Sequence, residues 1–179
     1  MHDDELLKKI HGATWIAELL TDFDFDIARV AHGPAEPVRL PGGEHLEMVA
    51  GDAAGGAYLL VGTGRDRPVV YAGSEGEGGL IATTLRDALG LVVGLSSIHD
   101  AMAVSIDEDG GTALRAHLAE ADDELRAEWP GLDDDRARLR TELGLPEADG
   151  LLEGLHHAAV DERYRPINED GDPYESMLI

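Results

Sequence analysis

Acidic side chains dominate the residues of this sequence that could carry out chemistry. Three aspartates alternate with apolar residues at positions 22–26, as the first ligands of a calcium-binding loop do. Such a loop needs a glycine at its sixth position and a glutamate at its twelfth, where this sequence has Ile27 and Gly33. The alternation therefore predicts a half-buried strand over 23–30 with a solvated acidic face, in place of a metal site.

The histidines are the next candidates for chemistry. His99-Asp100 is similar to the metal-binding pair of the HD phosphohydrolases, but that all-helical fold does not agree with the strands predicted before it. His156 and His157 are adjacent, so on a helix they point about 100° apart and cannot chelate one ion. We expect them to be surface or half-buried histidines, and we expect no metal site.

Other catalytic arrangements are missing from the sequence. Gly62-Thr63-Gly64 lacks the third glycine of a dinucleotide-binding turn, and no P-loop Lys-Ser/Thr pair follows the glycines at 76–79. There is no Gly-x-Ser-x-Gly elbow and no cysteine. We therefore expect no catalytic residues, no cofactor and no enzymatic activity.

The charge of the chain indicates what it can bind. The net charge is −23, from 37 acidic and 14 basic residues. Such a field repels nucleic acids and anionic membranes and attracts basic proteins. A proteome-wide bias toward acidic proteins would give the same charge, and the two explanations are compatible. Acidic residues cluster at 75–77, 107–109 and 133–135. We predict that the first two clusters bind a partner, through Glu75 and Glu77 and through Asp107, Glu108 and Asp109.

The sequence also bears on localisation. Its first residues carry acids where a signal peptide needs bases, and no apolar h-region follows. No run approaches the roughly 18 apolar residues of a membrane span. We expect a soluble, cytoplasmic protein.

Hydrophobic periodicity predicts the elements that must position these residues. Apolar side chains at helical spacing predict one helix over 3–20, and 46–50 is expected to be extended. The apolar runs Ala57–Val61 and Pro68–Ala72, joined by a glycine-containing turn, predict adjacent antiparallel strands. Because both runs are continuously apolar, we expect them in the middle of a sheet.

Helices are predicted for much of the remaining chain. Thr84 begins a sequence close to a capping box, which predicts a helix with Leu85, Leu89 and Val92 on its buried face. Three further helices are expected at 112–129, 133–143 and 151–160, before a tail that extends along the body. The chain thus divides into an α+β core, residues 1–106, and an acidic helical extension packed on it, residues 107–179.

The segment 49–89 resembles the SUKH superfamily, which includes yeast glucan-synthesis regulators and many bacterial immunity proteins. In that superfamily a strand with an aspartate, a glycine and an aromatic residue precedes an apolar strand. An Ile-Ala-x-Ser/Thr segment then opens a helix. The residues that fit this pattern are Asp52, Gly56, Tyr58, Ile81, Ala82, Thr84, Leu85, Ala88 and Leu89.

The resemblance implies an α+β fold with a mixed or antiparallel sheet backed by helices, and no catalytic residues. It implies an immunity protein that binds and neutralises a toxin domain, often a nuclease. Nucleases are commonly basic, which agrees with an acidic inhibitor. Two alternatives stay open: a non-catalytic adaptor or regulator on the same fold, and a small metal-dependent hydrolase.

Overall fold

Four short antiparallel strands form the sheet at the centre of the fold. The computed structural model describes residues 1–179. In the order of the sheet, the strands are β1 (Leu46–Gly51), β2 (Ala57–Val61), β3 (Val69–Ala72) and β4 (Gly78–Ala82). The predicted pairing of the two apolar runs is confirmed, with Leu59 opposite Val70. The central strands β2 and β3 are buried at every position, as continuous hydrophobicity predicted, while Pro68 lies just before β3 and is partly exposed.

Seven α-helices surround the sheet. They are α1 (Asp3–Gly12), α2 (Thr14–Asp22), α3 (Leu85–Gly94), α4 (Ile98–Met102), α5 (Thr112–Glu128), α6 (Leu132–Leu143) and α7 (Leu152–Ala159). Short 3₁₀ helices lie at Ile27–His32, Asp109–Gly111, Ala148–Leu151 and Glu162–Tyr164. The predicted fold class is confirmed: this is an α+β fold with an antiparallel sheet, and its C-terminal part adds helices. No helix is both long and apolar enough to cross a membrane.

The two faces of the sheet are covered by different elements. Tyr58 and Tyr71 belong to the face that packs in the main hydrophobic cluster with α3. On the opposite face, Leu59 packs with Tyr174 of the C-terminal tail, and Val70 packs with Ala158 of α7. The tail therefore extends along the body, as predicted. Neither central strand has a solvated face, which explains the lack of a polar alternation in their sequences.

The helix predicted from Thr84 is confirmed together with its cap. The Thr84 hydroxyl accepts a hydrogen bond of 3.1 Å from the amide of Asp87, which satisfies one of the free N–H groups of the first turn. Leu85, Leu89 and Val92 are all buried in the same cluster as the sheet residues. The apolar face of α3 thus joins the sheet to the helices that follow in sequence.

The helices beyond residue 107 share this core. Leu114 of α5, Leu139 of α6 and Leu155 of α7 are buried in the cluster that holds α3. Trp129 and Leu125, at the end of α5, are partly buried against it. The division of the chain into a core and an extension at residue 107 stays a prediction.

The single N-terminal helix expected over 3–20 is wrong, because the chain breaks at Ala13. That residue has an extended conformation, with φ −129° and ψ 101°, and separates α1 from α2. Gly12 immediately before it lacks the side chain that favours a helix, which makes a break there inexpensive. Leu6 and Ile10 of α1 and Ile16 and Leu20 of α2 are nevertheless buried, as their periodicity indicated.

The strand expected over 23–30 is also wrong. Only Asp26 forms a β-bridge, to Gly51, and Asp24 adopts a left-handed conformation with φ 59°. The Asp26 carboxylate accepts a hydrogen bond of 2.9 Å from the amide of Ala28, which starts a 3₁₀ helix. A local side-chain hydrogen bond therefore prevails over the alternating pattern.

Candidate functional site

The two glutamates of the first predicted binding site lie in the β3–β4 hairpin. Glu75 is exposed at its tip. Glu77 is half-buried, and its Oε1 lies 3.3 Å from Nε2 of His99. The amide of Glu175 donates to the carbonyl oxygen of Gly76, so the tail brings a third glutamate to this edge. The structure thus assembles an acidic edge of Glu75, Glu77 and Glu175, and only its first two members were predicted.

The second predicted binding site precedes α5. Asp107, Glu108 and Asp109 are all exposed. Asp109 Oδ1 accepts a hydrogen bond of 3.2 Å from the amide of Ala113, so this aspartate also stabilises the first turn of the helix. Asp107 shares a surface groove with Glu153 of α7. No hydrogen bond or ion pair connects these residues to the acidic edge.

Two hydrogen bonds at the β1–β2 turn fix the carboxylate of Asp52. The Tyr71 hydroxyl donates to Asp52 Oδ2 over 2.6 Å, and the Gly56 amide donates to Oδ1 over 2.8 Å. A Cβ at Gly56 would lie 2.3 Å from the Tyr71 hydroxyl, so a glycine is required there. Burial, and then the hydrogen bond to Asp52, raise the pKa of Tyr71. The hydroxyl therefore stays protonated as a donor.

A cleft opens beside this pair. Its walls come from the end of α2, the β1–β2 turn, the central strands, α4 and the end of α5. The charged, histidine and aromatic residues that line it are Asp22, Phe23, Asp24, Asp52, Tyr58, Tyr71, His99 and Trp129. Its volume of about 130 Å³ is smaller than the sites of drug-sized ligands, which leaves space for a side-chain head group.

Aromatic rings form much of the wall of this cleft. The ring centroids of Tyr58 and Tyr71 are 5.4 Å apart, and His99 lies edge-on to Tyr71 at 5.6 Å. Phe23 packs on Trp129 at 4.7 Å. Burial, followed by the nearby Asp52 and Asp24 carboxylates, raises the pKa of Tyr58. The cleft therefore combines aromatic rings with carboxylates.

The histidines are placed differently from each other. His99 is exposed and contacts Glu77, and His157 is exposed on α7. His156 is buried, contrary to the prediction that it lies at or near the surface: its Nδ1 accepts from the amide of Ile106, and its Nε2 donates to the carbonyl of Ala101. It connects α7 both to α4 and to the segment after α4. No group of three or more histidines and acids is arranged to hold a metal ion.

The cleft was not predicted from the sequence, because its residues are separated along the chain. The aspartates at 22–26 were predicted to face solvent from a strand. Asp22 and Asp24 are exposed, as predicted, but they line the cleft from a helix end and a turn. One signal was available: Asp52 and Tyr58 belong to the pattern that carries the SUKH resemblance. Comparison with known proteins adds no further information, since no family model, curated protein or solved structure matches this chain.

Proposed function

We propose that this protein binds a basic protein and neutralises it stoichiometrically, as an immunity protein of the SUKH type. The observation that carries the proposal is the distribution of charge. Of the 37 acidic residues, only Asp3 and Asp52 are buried. Two of the 14 basic residues, Arg67 and Arg136, are buried as well. Nearly all of the excess negative charge therefore faces solvent, where it acts on an approaching partner.

The fold supports the same proposal. The residues that resemble the SUKH pattern occupy consistent structural roles: Asp52 and Gly56 form the β1–β2 turn, Tyr58 lies in β2 and Thr84 caps α3. Each is explained by a hydrogen bond or by packing, without a catalytic role. A binding protein on this scaffold needs no turnover of its own.

Electrostatic steering gives the proposal a measurable signature. Opposite charges accelerate encounter between proteins, and the effect weakens as salt shortens the Debye length from about 10 Å at 0.1 M to about 3 Å at 1 M. A toxin domain that acts on nucleic acid needs a basic surface to bind its substrate. An acidic inhibitor that covers that surface would both associate rapidly and block the substrate.

The acidic edge of Glu75, Glu77 and Glu175 is the first surface to test. It lies at the hairpin that follows β3, and Glu75 and Glu175 are exposed. The cluster at 133–135 is a suitable comparison because Asp133 is paired with Arg126, which neutralises part of its charge. Replacing both exposed edge glutamates by glutamine should slow association more than replacing Asp133 and Asp134 by asparagine.

The test begins with the full chain immobilised at low ionic strength, followed by elution with salt and identification of what was bound. Stopped-flow association is then measured with the purified partner at two salt concentrations. We expect a basic protein whose toxic activity is lost at a one-to-one ratio and whose on-rate falls with salt. If the captured basic protein has no toxic activity, the result would overturn neutralisation and favour the adaptor function. A salt-independent on-rate, or hydrolysis that persists through repurification and requires a metal, would overturn the proposal.

A further inference from the structure

Tyr58 has an unsatisfied hydroxyl at the cleft. The residue is 4% exposed and lines the cleft wall, yet its hydroxyl makes no hydrogen bond with the protein. The other two buried tyrosines are both satisfied, since Tyr71 donates to Asp52 and Tyr174 donates to Glu36. This oxygen is not fully enclosed: the fully buried side-chain polar atoms that lack a hydrogen-bond partner are Arg67 Nε, His117 Nε2 and Arg165 Nε. Because Tyr58 lines the cleft, a group bound there can form a hydrogen bond with its free oxygen.

The backbone around the cleft places acids where they are locally unfavourable. Asp22 is the last residue of α2, at the helix end where the dipole disfavours a negative charge. Asp24 is left-handed, with φ 59°, which is uncommon for residues with a side chain, although aspartate and asparagine adopt it most readily. One Asp24 oxygen accepts from the amide of Ala53 over 3.2 Å. Local costs of this kind concentrate at functional sites, where a bound group offsets them.

The cleft contains no cation to balance these acids. Asp22, Asp24 and Asp52 form no salt bridge, and no lysine or arginine is among the residues that line it. Ion pairs are formed elsewhere by arginines, for example between Arg126 and Asp133. The site is thus a negative, partly aromatic recess with an unpaired hydroxyl, which is the chemistry that binds a cation.

We propose that the cleft binds the guanidinium group of an arginine side chain. The inference that this arginine belongs to the basic partner rests on the function proposed above. A guanidinium has five N–H donors in a plane, which suits a cleft lined by both the Tyr58 hydroxyl and the carboxylates of Asp22 and Asp24. Its flat face can also stack on an aromatic wall such as Trp129. A lysine ammonium has only three donors around a compact charge, and fits this spread of acceptors less well.

The test uses a probe that needs no partner. N-acetyl-arginine amide is titrated into the full-length protein, and the amide and indole signals are followed by NMR. N-acetyl-citrulline amide, which has a similar shape without the charge, is the control ligand. We expect saturable shifts at the signals of Asp24, Tyr58 and Trp129 with the arginine compound only. Equal shifts with both compounds, or no saturable shift, would overturn the inference.

Two conservative variants assign the binding to the cleft. Asp24→Asn removes the charge while keeping a side chain that tolerates the left-handed backbone, and Tyr58→Phe removes the hydroxyl while keeping the ring. Each should weaken the probe roughly threefold to tenfold. Asp170→Asn makes the same charge change at an exposed residue outside the cleft and should change affinity by less than about twofold. A similar loss in Asp170→Asn would indicate non-specific attraction and overturn the inference.

The same variants separate this inference from the function proposed above. If the arginine compound binds in the cleft but no basic protein is captured, the site stands and the proposed function fails. If a basic partner binds with full affinity to Asp24→Asn and Tyr58→Phe, the proposed function stands and the cleft is not part of its interface. The fold of each variant is checked from the dispersion of its amide spectrum before titration.

Discussion

Arg136 on α6 holds Asp122 on α5 in a two-pronged ion pair, with both N···O distances at 2.9 Å. The third donor of the guanidinium, Nε, reaches the carbonyl oxygen of Val93 near the end of α3. Arg136 is only 5% exposed. This one side chain therefore connects three helices and satisfies a carbonyl that the end of α3 would otherwise leave free.

Replacing Arg136 by methionine should destabilise the protein strongly. The change removes both hydrogen bonds to Asp122, which keeps only a 3.8 Å contact with Arg126, and leaves the Val93 carbonyl without its donor. Breaking a buried pair in this way typically costs about 3–5 kcal/mol. Urea unfolding followed by circular dichroism measures the loss. Arg140→Met is the matched control, because Arg140 pairs with a largely exposed Glu147 and should cost less than about 1 kcal/mol. Equal losses for the two variants would show that burial of the pair is unimportant.

Tyr71 and Tyr58 should respond differently to the loss of their hydroxyls. Tyr71→Phe removes the 2.6 Å hydrogen bond to the buried Asp52 and should cost about 1–3 kcal/mol of unfolding free energy. Tyr58→Phe removes a hydroxyl that has no partner and should change stability by less than about 0.5 kcal/mol. Denaturant unfolding of both variants provides the comparison. A large loss in Tyr58→Phe would mean that its hydroxyl has a partner in the protein.

Two helical glycines should respond to alanine with opposite signs. A Cβ at Gly90 of α3 would lie 2.9 Å from Cγ of Pro146, so Gly90→Ala should destabilise by about 1–3 kcal/mol through overpacking. No atom lies within 4 Å of a Cβ at Gly154 of α7, so Gly154→Ala should stabilise by up to about 1 kcal/mol. Thermal unfolding shows the two shifts directly. The same sign for both would argue against this packing of Pro146 on α3.

The Asp133 carboxylate should titrate below its usual range. Its hydrogen bond with Arg126 lowers its pKa from the ordinary value of 3.8. A carboxyl with a lowered pKa in the folded chain adds stability above its unfolded pKa and loses that contribution as pH falls through the folded one. Arg126→Gln should return the pKa toward 3.8 in a ¹³C-detected NMR titration. Arg115→Gln, which breaks the separate pair with Asp149, should leave the Asp133 titration unchanged.

The helices after residue 107 should resist removal by limited proteolysis. Leu114, Leu139 and Leu155 share a cluster with Leu89 of α3, so cutting them away would expose the apolar face of that helix. We expect digestion to proceed without a stable fragment that ends near residue 107. Accumulation of such a fragment with a folded spectrum would show that residues 1–106 are independent, and mass spectrometry locates its end.

The sequence predicted best the elements whose reasons are local. The central strands followed from two uninterrupted apolar runs, and the start of α3 followed from the Thr84 cap. Where two local preferences competed, the prediction at 23–30 failed: the alternation favoured a strand, but Asp26 caps a 3₁₀ helix. Likewise the helical periodicity over 3–20 was correct about burial, although it did not reveal the break at Ala13.

The sequence by itself determined the fold class, the net charge and the residue types from which a binding site could be built. Only the tertiary structure decided that Asp22, Asp24, Tyr58 and Trp129 line one cleft, since they come from segments separated by dozens of positions. Hydrophobic periodicity reports which side of an element is buried, but not which other element covers it. That choice depends on how the helices and the sheet pack together. The same packing brings Tyr58, whose hydroxyl has no partner in the protein, into one cleft with Asp22 and Asp24.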